Sequence, residues 1–419
     1  MNWLEVDKQN IWHPFSPLGG ETPLYAEKGR GIYIKTSDGR WIIDAISSWW
    51  VNIHGHANKR ISKAVAKQAR KLEQVIFAGF THEPAIRLSQ LLMKLLPDNQ
   101  AKLFFSDNGS TSVEVALKLA IQYWKNKGNK SHKIIAIDGA YHGDTFGSMS
   151  VGERGLFTLP FNDYLFEVDF VPFPTENGKE SIKAFKRLVS EETALFIFEP
   201  LVQGAAGMRM YNADVLDEMI KLAKSKDIIC IADEVMTGFG RTGKVLASDY
   251  LKNQPDIFCL SKGITGGFLP MGVTSVSNEI VEAFDSTDYQ KTFFHGHSYT
   301  ANPLACAAAV ESMKILNKPS CKKQIAMISE KHLGFIESFD PPDTVSEVRS
   351  IGTILRIELK VDDPGYVSLI KEKIYDYFLA QDILLRPLGN VIYLLPPYVI
   401  KPQELNRIYK AIKAFFKDS

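Results

Sequence analysis

The sequence has few cysteines and no long apolar run. Its 419 residues contain four cysteines, namely Cys230, Cys259, Cys306 and Cys321. None forms a CxxC pair, and the first two lie within apolar segments, so we expect reduced thiols in the core and no disulfide framework or zinc site. No uninterrupted apolar run approaches the roughly twenty residues needed to span a bilayer, and the charged N-terminus does not resemble a signal peptide. We therefore expect a cytosolic protein without a membrane partner.

The sequence also lacks an excess of either charge. It has 49 basic and 48 acidic residues, and its formal net charge is +1. No basic cluster is interspersed with aromatic residues, so nucleic acid is not an expected partner. Hydrophobic residues make up 45% of a chain that is longer than an ordinary single domain. This length and composition predict one large core and a second, smaller one.

Short apolar runs alternate with longer helical segments between about residues 100 and 280. The runs cover residues 103–105, 134–137, 195–198, 228–232, 257–260 and 273–276. Alternating strands and helices favour right-handed crossovers, so we predict an α/β fold with a mainly parallel sheet covered by helices on both faces. Between the first two runs, apolar residues recur at helical spacing after Asn108, and Gly128 is a stop signal for that helix.

The pattern changes towards both ends of the chain. After about residue 300 it predicts a helix at 301–316, a strand at 354–359, a helix at 367–379, a strand at 391–395 and a last helix after Pro402. Near the N-terminus, two apolar runs flank a turn at residues 37–40, which is typical of a hairpin. We predict an N-terminal segment (residues 1–55) that packs with the small domain, a large domain (residues 56–304) and a small α+β domain (residues 305–419).

Two ionisable residues stand at the ends of apolar strands. Asp233 follows the run 228–232, and Lys262 follows the run 257–260. If these strands are neighbours in a parallel sheet, both side chains enter one crevice at its carboxyl edge. Pyridoxal phosphate requires a lysine that bonds to its aldehyde and an anion at its ring nitrogen. Each residue also has a simpler interpretation, the lysine as a solvated side chain and the aspartate as a strand-end cap or ion pair.

Two loops could complete such a site. Gly109 and Ser110 stand between a strand and a helix, where backbone N–H groups and the helix dipole can hold a phosphate, although this segment would also serve as a plain N-cap. Tyr141 and His142 follow the run 134–137 in a loop flanked by glycines. The tyrosine ring could stack on a flat cofactor there or fold onto the core.

Two other motifs carry less weight. Residues 238–244 match GxGxxG and nearly match a phosphate-binding loop, but Val245 lacks the required hydroxyl and the following residues start a helix poorly. A nucleotide-dependent enzyme is therefore a remote alternative. His54 with His56, and His295 with His297, form two HxH pairs without a carboxylate at a ligand spacing, so metal binding is a minor alternative.

Together, these motifs resemble the class III aminotransferases of fold type I. The resemblance rests on residues 231–235 (IADEV), 237–243 (TGFGRTG), 261–263 (SKG) and 265–267 (TGG). Other segments are similar to family members that act in biotin biosynthesis, namely residues 12–14, 47–50, 139–145, 202–205, 386–387 and 393–398. The resemblance implies a mainly parallel seven-stranded sheet in the large domain, pyridoxal 5'-phosphate as cofactor, and a homodimer with two shared active sites.

The resemblance also implies roles for individual residues. Lys262 would bond to the cofactor, Asp233 would pair with its ring nitrogen, and Tyr141 would stack on its ring and face the substrate. The other cofactor contacts would be Gly109, Ser110, His142 and, from the second subunit, His297 and Ser298. The substrate pocket would also contain Phe15, Trp50, Gly296, Arg386 and Tyr393. Arg386 would bind the substrate carboxylate, for which a forked guanidinium is well suited.

The implied reaction is a transamination of 8-amino-7-oxononanoate to 7,8-diaminononanoate through pyridoxamine phosphate. Phe15 stands where the members that use S-adenosylmethionine usually have a tyrosine, and His297 with Ser298 replaces a Pro-Thr pair; both resemble members that use lysine as amino donor. The tandem tryptophans Trp49 and Trp50 favour S-adenosylmethionine, which is the predicted donor. Lysine as donor, or another class III ω-amino-acid aminotransferase, are the alternatives.

Overall fold

The computed structural model describes residues 2–175, 177–361 and 369–417. The N-terminal region contains helix α1 (Trp3–Asn10), strands β1 (Ala26–Arg30), β2 (Tyr33–Thr36) and β3 (Trp41–Asp44), and the short helix α2 (Ser47–Trp50). The predicted hairpin is present, because β2 pairs antiparallel with β3 and Gly39 takes a φ of +90° in the turn. Strand β15 (Ile383–Leu384) pairs parallel with β3, so this region shares a sheet with the C-terminal part of the chain.

A seven-stranded sheet forms the centre of the fold. Its strands are β4 (Gln100–Ser106), β5 (Lys133–Ile137), β6 (Asp169–Val171), β7 (Thr193–Phe198), β10 (Ile229–Asp233), β11 (Ile257–Leu260) and β12 (Gly272–Ser277), in the spatial order β4-β12-β11-β10-β7-β5-β6. The prediction of a mainly parallel seven-stranded sheet is confirmed. Strand β12 runs antiparallel to both neighbours, because the short connection from β11 contains no crossover helix.

Helices and a small ribbon surround this sheet. The helices are α3 (Lys59–Ala69), α4 (Glu83–Met93), α5 (Gly109–Asn126), α6 (Phe146–Ser150), α7 (Lys179–Leu188), α8 (Ala213–Lys224), α9 (Asn278–Phe284) and α10 (Pro303–Leu316), and β8 (Val202–Gln203) pairs with β9 (Arg209–Met210). Alternate strand residues face two different cores: Ile231 packs in the core that includes α5, whereas Cys230 and Ala232 pack in the other. This two-sided burial is characteristic of parallel sheets.

The C-terminal part is a small α+β arrangement. It contains α11 (Pro319–Ser338), β13 (Val345–Ile351), β14 (Ile354–Leu359), α12 (Leu369–Ala380), β16 (Val391–Leu394) and α13 (Pro402–Phe415). Strands β13, β14 and β16 form an antiparallel sheet. The predicted strands and helices of this region are present; residues 367 and 368 of the predicted helix at 367–379 lie outside the described residues. The boundaries of the three predicted units stay a prediction.

All four cysteines and two of the histidines, His54 and His332, are buried in the core. The cysteines are unbridged. The Nε2 atom of His54 donates to the carbonyl of Ser312 at 3.0 Å, and His332 lies between the Tyr409 hydroxyl at 2.7 Å and the Thr353 carbonyl at 3.2 Å. Burial lowers the pKa of each of these two imidazoles to about 4. Within the described ranges, no helix is long and apolar enough to span a bilayer.

We expect His332→Gln to flatten the dependence of stability on pH. The folded protein keeps His332 neutral down to about pH 4, whereas the unfolded chain binds a proton below about pH 6.5. The wild-type free energy of unfolding should therefore decrease as pH falls through this window, with His332 contributing on the order of 3 kcal/mol to the loss. Urea titrations at several pH values measure this slope, with His132→Gln as the exposed control. Equal slopes in all three proteins would contradict the assignment.

Candidate active site

The register of two central strands brings the predicted lysine and aspartate together. Strand β10 pairs parallel with β11, and Asp233 lies opposite Cys259. Lys262 follows only three positions after Cys259, so both side chains leave the sheet at its carboxyl edge. They line one cavity of about 440 Å³, which is within the usual size range of small-molecule sites. The predicted convergence of Asp233 and Lys262 is present in the structure.

Lys262 has an unusual backbone conformation. Its φ is +41°, at the start of a short 3₁₀ turn (Lys262–Thr265). This region is unfavourable for a residue with a Cβ, and such strain persists only where neighbouring contacts impose it. One of these contacts is the hydrogen bond from the Ser261 hydroxyl to the Met271 carbonyl, at 2.6 Å. The turn therefore directs the lysine into the cavity.

The environment of Lys262 favours a neutral amine. Burial lowers its pKa, and the carboxylates of Asp233 and Glu199 oppose this effect only in part. Its Nζ atom lies 4.7 Å from the ring centroid of Trp50. A lysine with a lowered pKa has more of the unprotonated amine that can act as a nucleophile or base. Lys262 is therefore suited to bond covalently with an aldehyde.

Asp233 is buried and held in place by two donors. Its Oδ2 atom lies 2.7 Å from Nδ1 of His142, and its Oδ1 atom accepts a hydrogen bond from the Val235 amide at 3.0 Å. Only 4% of Asp233 is exposed. A buried carboxylate oriented in this way can hold a protonated ring nitrogen. His142 thus orients Asp233 and also lines the cavity, and its own Nε2 atom has no hydrogen-bond partner among the described residues.

The start of helix α5 forms a cap and an open cradle at the same time. The Asn108 side chain accepts from the Thr111 amide at 2.9 Å, and the Thr111 hydroxyl accepts from the Asn108 amide at 3.1 Å. Gly109 and Ser110 lie in the first turn beyond this cap and line the cavity. Both interpretations of this segment therefore hold, since Asn108 caps the helix while Gly109 and Ser110 can face an anion.

Glycines keep this cradle open. A Cβ on Gly109 would lie 2.8 Å from Cγ1 of Val235, and a Cβ on Gly143 would lie 2.1 Å from Oγ of Ser110. The Ser110 hydroxyl also accepts a hydrogen bond from the Asp144 amide at 3.1 Å. The residues present thus fit a phosphorylated cofactor, because they combine a reactive lysine, a ring-nitrogen partner and a phosphate cradle in one cavity.

Tyr141 lines the cavity beside a carboxylate that sequence reasoning missed. The Glu199 side chain accepts from the Tyr141 amide at 3.0 Å and from the Gly204 amide at 2.8 Å. Burial raises the pKa of Glu199 to about 7, and burial together with Asp144 raises the pKa of Tyr141. Glu199 comes directly after strand β7, as Asp233 ends β10. The strand-end criterion that selected Asp233 would also have found it.

Of the predicted substrate residues, Trp50, Tyr141 and Lys262 line the cavity, whereas Phe15, Arg386 and Tyr393 contact the tryptophan pair beside it. Trp50 lines the cavity, and its Nε1 atom donates to the Tyr393 hydroxyl at 3.0 Å. The guanidinium carbon of Arg386 lies 5.1 Å from the Trp49 ring centroid, and the Phe15 ring lies 5.3 Å from the same ring. Phe15, Arg386 and Tyr393 do not line the cavity itself. Phe15 and Arg386 contact Trp49, and Tyr393 contacts Trp50; these five side chains are called the aromatic layer.

The predicted residues of the second subunit lie elsewhere. Gly296, His297 and Ser298 belong to the segment before α10 and do not line the cavity of their own chain. The Ser298 carbonyl accepts from the Gln74 side chain at 2.5 Å, and His297 Nδ1 accepts from the Tyr299 amide at 3.2 Å. Their contribution to a partner's phosphate site stays a prediction.

The two competing motifs have structural roles. In the loop 238–244, the buried Arg241 donates to the carbonyls of Trp50 at 2.9 Å and Pro396 at 3.0 Å. A short 3₁₀ turn follows this loop, and no long helix offers its N-terminus to a phosphate. His56 contacts Asp44, and the part of the chain that the structure describes contains no group of three or more potential metal ligands.

Comparisons with known proteins agree with this geometry. The family model of class III aminotransferases matches residues 16–416. The chain belongs to the class III aminotransferases. This aminotransferase is 48% identical to the adenosylmethionine-8-amino-7-oxononanoate aminotransferase of Synechococcus elongatus, over 96% of this chain and 97% of that protein.

Solved structures of aminotransferases have the same fold. The structure of adenosylmethionine-8-amino-7-oxononanoate aminotransferase from Methanocaldococcus jannaschii matches with a TM-score of 0.94 and 34% identity, over 100% of this chain and 99% of that one. An amine transaminase from an uncultivated Pseudomonas species, in its PLP-bound form, matches with a TM-score of 0.89 and 29% identity, over 98% of each chain. The predictions of a fold-type I structure and of a transaminase are confirmed.

We expect Gly143→Ala to destabilise the aminotransferase at its phosphate cradle. The φ of Gly143 is +133°, and the added Cβ would displace the Ser110 hydroxyl. Strain of this kind costs about 1–3 kcal/mol for one residue, and the lost contact with Asp144 adds to it. Urea unfolding measures the change in free energy, with Gly155→Ala as a control because its Cβ meets no atom within 4 Å. Equal stabilities of the two variants would contradict the predicted crowding.

Proposed function

We propose that this aminotransferase transfers the amino group of S-adenosylmethionine to 8-amino-7-oxononanoate and forms 7,8-diaminononanoate in biotin biosynthesis. The observation that carries the chemistry is the convergence of Asp233 and Lys262 in one cavity through the parallel register of β10 and β11. The names of the relatives from Synechococcus elongatus and Methanocaldococcus jannaschii support the substrates. The tandem tryptophans, and the contact of Arg386 with Trp49, are consistent with these substrates.

The cavity residues would hold pyridoxal 5'-phosphate in a defined way. Lys262 would bond to its aldehyde, Asp233 would pair with its ring nitrogen, and Tyr141 would stack on its ring. Gly109 and Ser110 would hold its phosphate at the start of α5. When bound, the cofactor supplies an electron-accepting ring that allows a proton to leave the substrate carbon next to the amine.

The residues of this chain would carry out the proton transfers. Lys262 is suited to remove a proton from the substrate carbon and return it to another atom, because burial lowers its pKa. The contact with His142 would hold the Asp233 carboxyl in place to pair with the ring nitrogen. The Trp50 ring lies 4.7 Å from the Lys262 amine and would shield one side of it from water.

The substrate end would be recognised at the aromatic layer. In the described ranges no carboxylate pairs with Arg386 within 4 Å, and its guanidinium is stacked on Trp49. A stacked guanidinium can bind the carboxylate of 8-amino-7-oxononanoate through two parallel hydrogen bonds. Phe15, Trp50 and Tyr393 would contact the rest of the substrate.

A homodimer with shared sites is part of the proposal. Several large apolar side chains are exposed on the single chain, and two of them, Phe294 at 70% and Tyr299 at 64%, flank Gly296, His297 and Ser298. A second copy would cover such side chains. In that arrangement, the segment from Gly296 to Ser298 would close the phosphate cradle of the partner.

We expect Lys262→Ala to abolish turnover and leave the fold intact. The variant loses both the covalent link and the general base, so the rate should fall by at least ~10³-fold. Wild-type protein should show the visible absorption band of the lysine-bound cofactor, and borohydride reduction followed by peptide mass spectrometry should place the adduct on Lys262. Lys244→Ala is the matched control, since Lys244 is exposed and donates to the Asp249 carbonyl. Normal turnover of Lys262→Ala would overturn the assignment.

We expect S-adenosylmethionine, and not lysine, to discharge the cofactor in a single turnover. Mixing the purified enzyme with each donor alone, while following the visible band, separates the donor step from the acceptor step. A response to lysine alone would overturn the proposed donor and would agree with Phe15 and with His297 and Ser298. Conversion of other amines or ω-amino acids, without activity on 8-amino-7-oxononanoate, would overturn the proposed acceptor.

A further inference from the structure

The segment that carries the tandem tryptophans has a strained backbone. Ser47, Ser48 and Trp50 have φ values of +53°, +60° and +66°, and none of them is glycine. Residues with a Cβ rarely occupy this region, and three within four positions require contacts that impose the conformation.

The buried Asp44 supplies the contacts that hold Ser48, whereas the Ser47 hydroxyl donates to the Leu395 carbonyl at 2.7 Å. The Oδ1 atom of Asp44 accepts from the Ser48 amide at 2.7 Å, and its Oδ2 atom accepts from the Ser48 hydroxyl at 2.9 Å. The side chain of Asp44 is completely inaccessible to solvent. Because hydrogen bonds to a buried carboxylate are strong, Ser48 is held at its positive φ from two sides. Asp44 ends strand β3, so the segment is anchored to a regular element of the sheet.

His56 completes the anchor from the other end of the loop. Its Nε2 atom lies 2.8 Å from Asp44 Oδ2, and its Nδ1 atom lies 2.8 Å from the Asn52 side chain. Its backbone exchanges two hydrogen bonds with Gly31, at 2.7 and 3.1 Å. The imidazole therefore cannot move independently of the hairpin, and it closes residues 44–56 into a ring around the Asp44 carboxylate.

The clamped loop presents both tryptophans to the site. Trp50 lies over the Lys262 amine, and its ring donates to Tyr393. Trp49 stands between Phe15 and the guanidinium of Arg386. Trp50 is also fixed by Arg241, which donates to its carbonyl. Among the residues that the structure describes, none from outside the loop makes a backbone hydrogen bond to Trp49, so its position depends on the Asp44 contacts with the preceding residue, Ser48.

We propose that Asp44 and His56 are positioning residues that set the Trp49–Arg386 stack and thereby control binding of the substrate carboxylate. This inference rests on the proposed function. The pair lies outside the cofactor cavity, whose lining does not include Asp44 or His56. Loss of the pair should therefore weaken binding of 8-amino-7-oxononanoate much more than binding of the cofactor.

The test is Asp44→Asn in the full-length enzyme loaded with pyridoxal phosphate. The asparagine keeps the size of the side chain but turns one acceptor into a donor that faces the N–H of His56, and the Ser48 hydroxyl must rotate from donor to acceptor. The KM for 8-amino-7-oxononanoate should rise about tenfold to hundredfold, with a much smaller change in kcat. The near-ultraviolet circular dichroism of the tryptophans should change, while the visible cofactor band stays unchanged.

Matched variants separate positioning from general stability. Asp38→Asn alters an exposed carboxylate on the same hairpin and should leave KM unchanged. His56→Gln, which keeps an N–H donor, should stay close to wild type, whereas His56→Leu should behave like Asp44→Asn. If Asp44→Asn does not fold, the difference in KM between His56→Gln and His56→Leu still tests whether the pair positions the loop.

Two results would overturn the inference. One is an unchanged KM and tryptophan spectrum in Asp44→Asn and His56→Leu; the other is loss of the cofactor band in either folded variant. A wild-type enzyme that holds the cofactor but does not convert 8-amino-7-oxononanoate would contradict only the proposed function. In that case the tryptophan spectra of the variants still test the clamp.

Discussion

The parallel pairing of β10 with β11 is the constraint on which the candidate site depends. Ile231 lies opposite Ile257, and Asp233 lies opposite Cys259. Along both strands, successive apolar side chains pack alternately into two buried cores. A shift of the register by one residue would turn every one of these side chains to the wrong face of the sheet. Hydrophobic packing on both faces therefore fixes the register. The register in turn places Asp233 and the turn of Lys262 at the same edge.

This arrangement places several ionisable groups in buried or half-buried positions around one cavity. Burial lowers the pKa of Lys262 and raises that of Glu199, so both are shifted towards their neutral forms. Asp233 is compensated by His142 and by a backbone amide. The next residue, Glu234, does not line the cavity. Its carboxylate accepts from the Thr237 hydroxyl and from the amides of Ala247 and Ser248. One carboxylate thus serves the site while its neighbour fixes the loop that contains Arg241.

Sequence reasoning worked where local periodicity and strand ends determine position. The strands, helix α5 with its cap, and the convergence of Asp233 and Lys262 all follow from patterns within a few residues. Strand β6 was not predicted because its charged first residue, Asp169, leaves only Phe170 and Val171 as consecutive apolar residues. The direction of β12 depends on the length of one connection. The bond between Trp50 and Tyr393 joins residues 343 positions apart, so no local pattern could have predicted its geometry.

The two halves of the site depend on different kinds of structure. The cofactor half rests on strand ends and a helix start, whose positions follow from backbone hydrogen bonds and core packing. The proposed substrate half would rest on a strained loop, on Arg386 from the C-terminal part of the chain, and on a few side-chain contacts between them. Substitutions in the second half can therefore alter the substrate without disturbing Lys262 or Asp233. Such a division would account for the matches at 25–29% identity to an ω-transaminase and an amine transaminase, which share the whole fold with this chain. In this proposal, substrate specificity depends on contacts such as that between Asp44 and His56, which hold the loop and take no part in the chemistry.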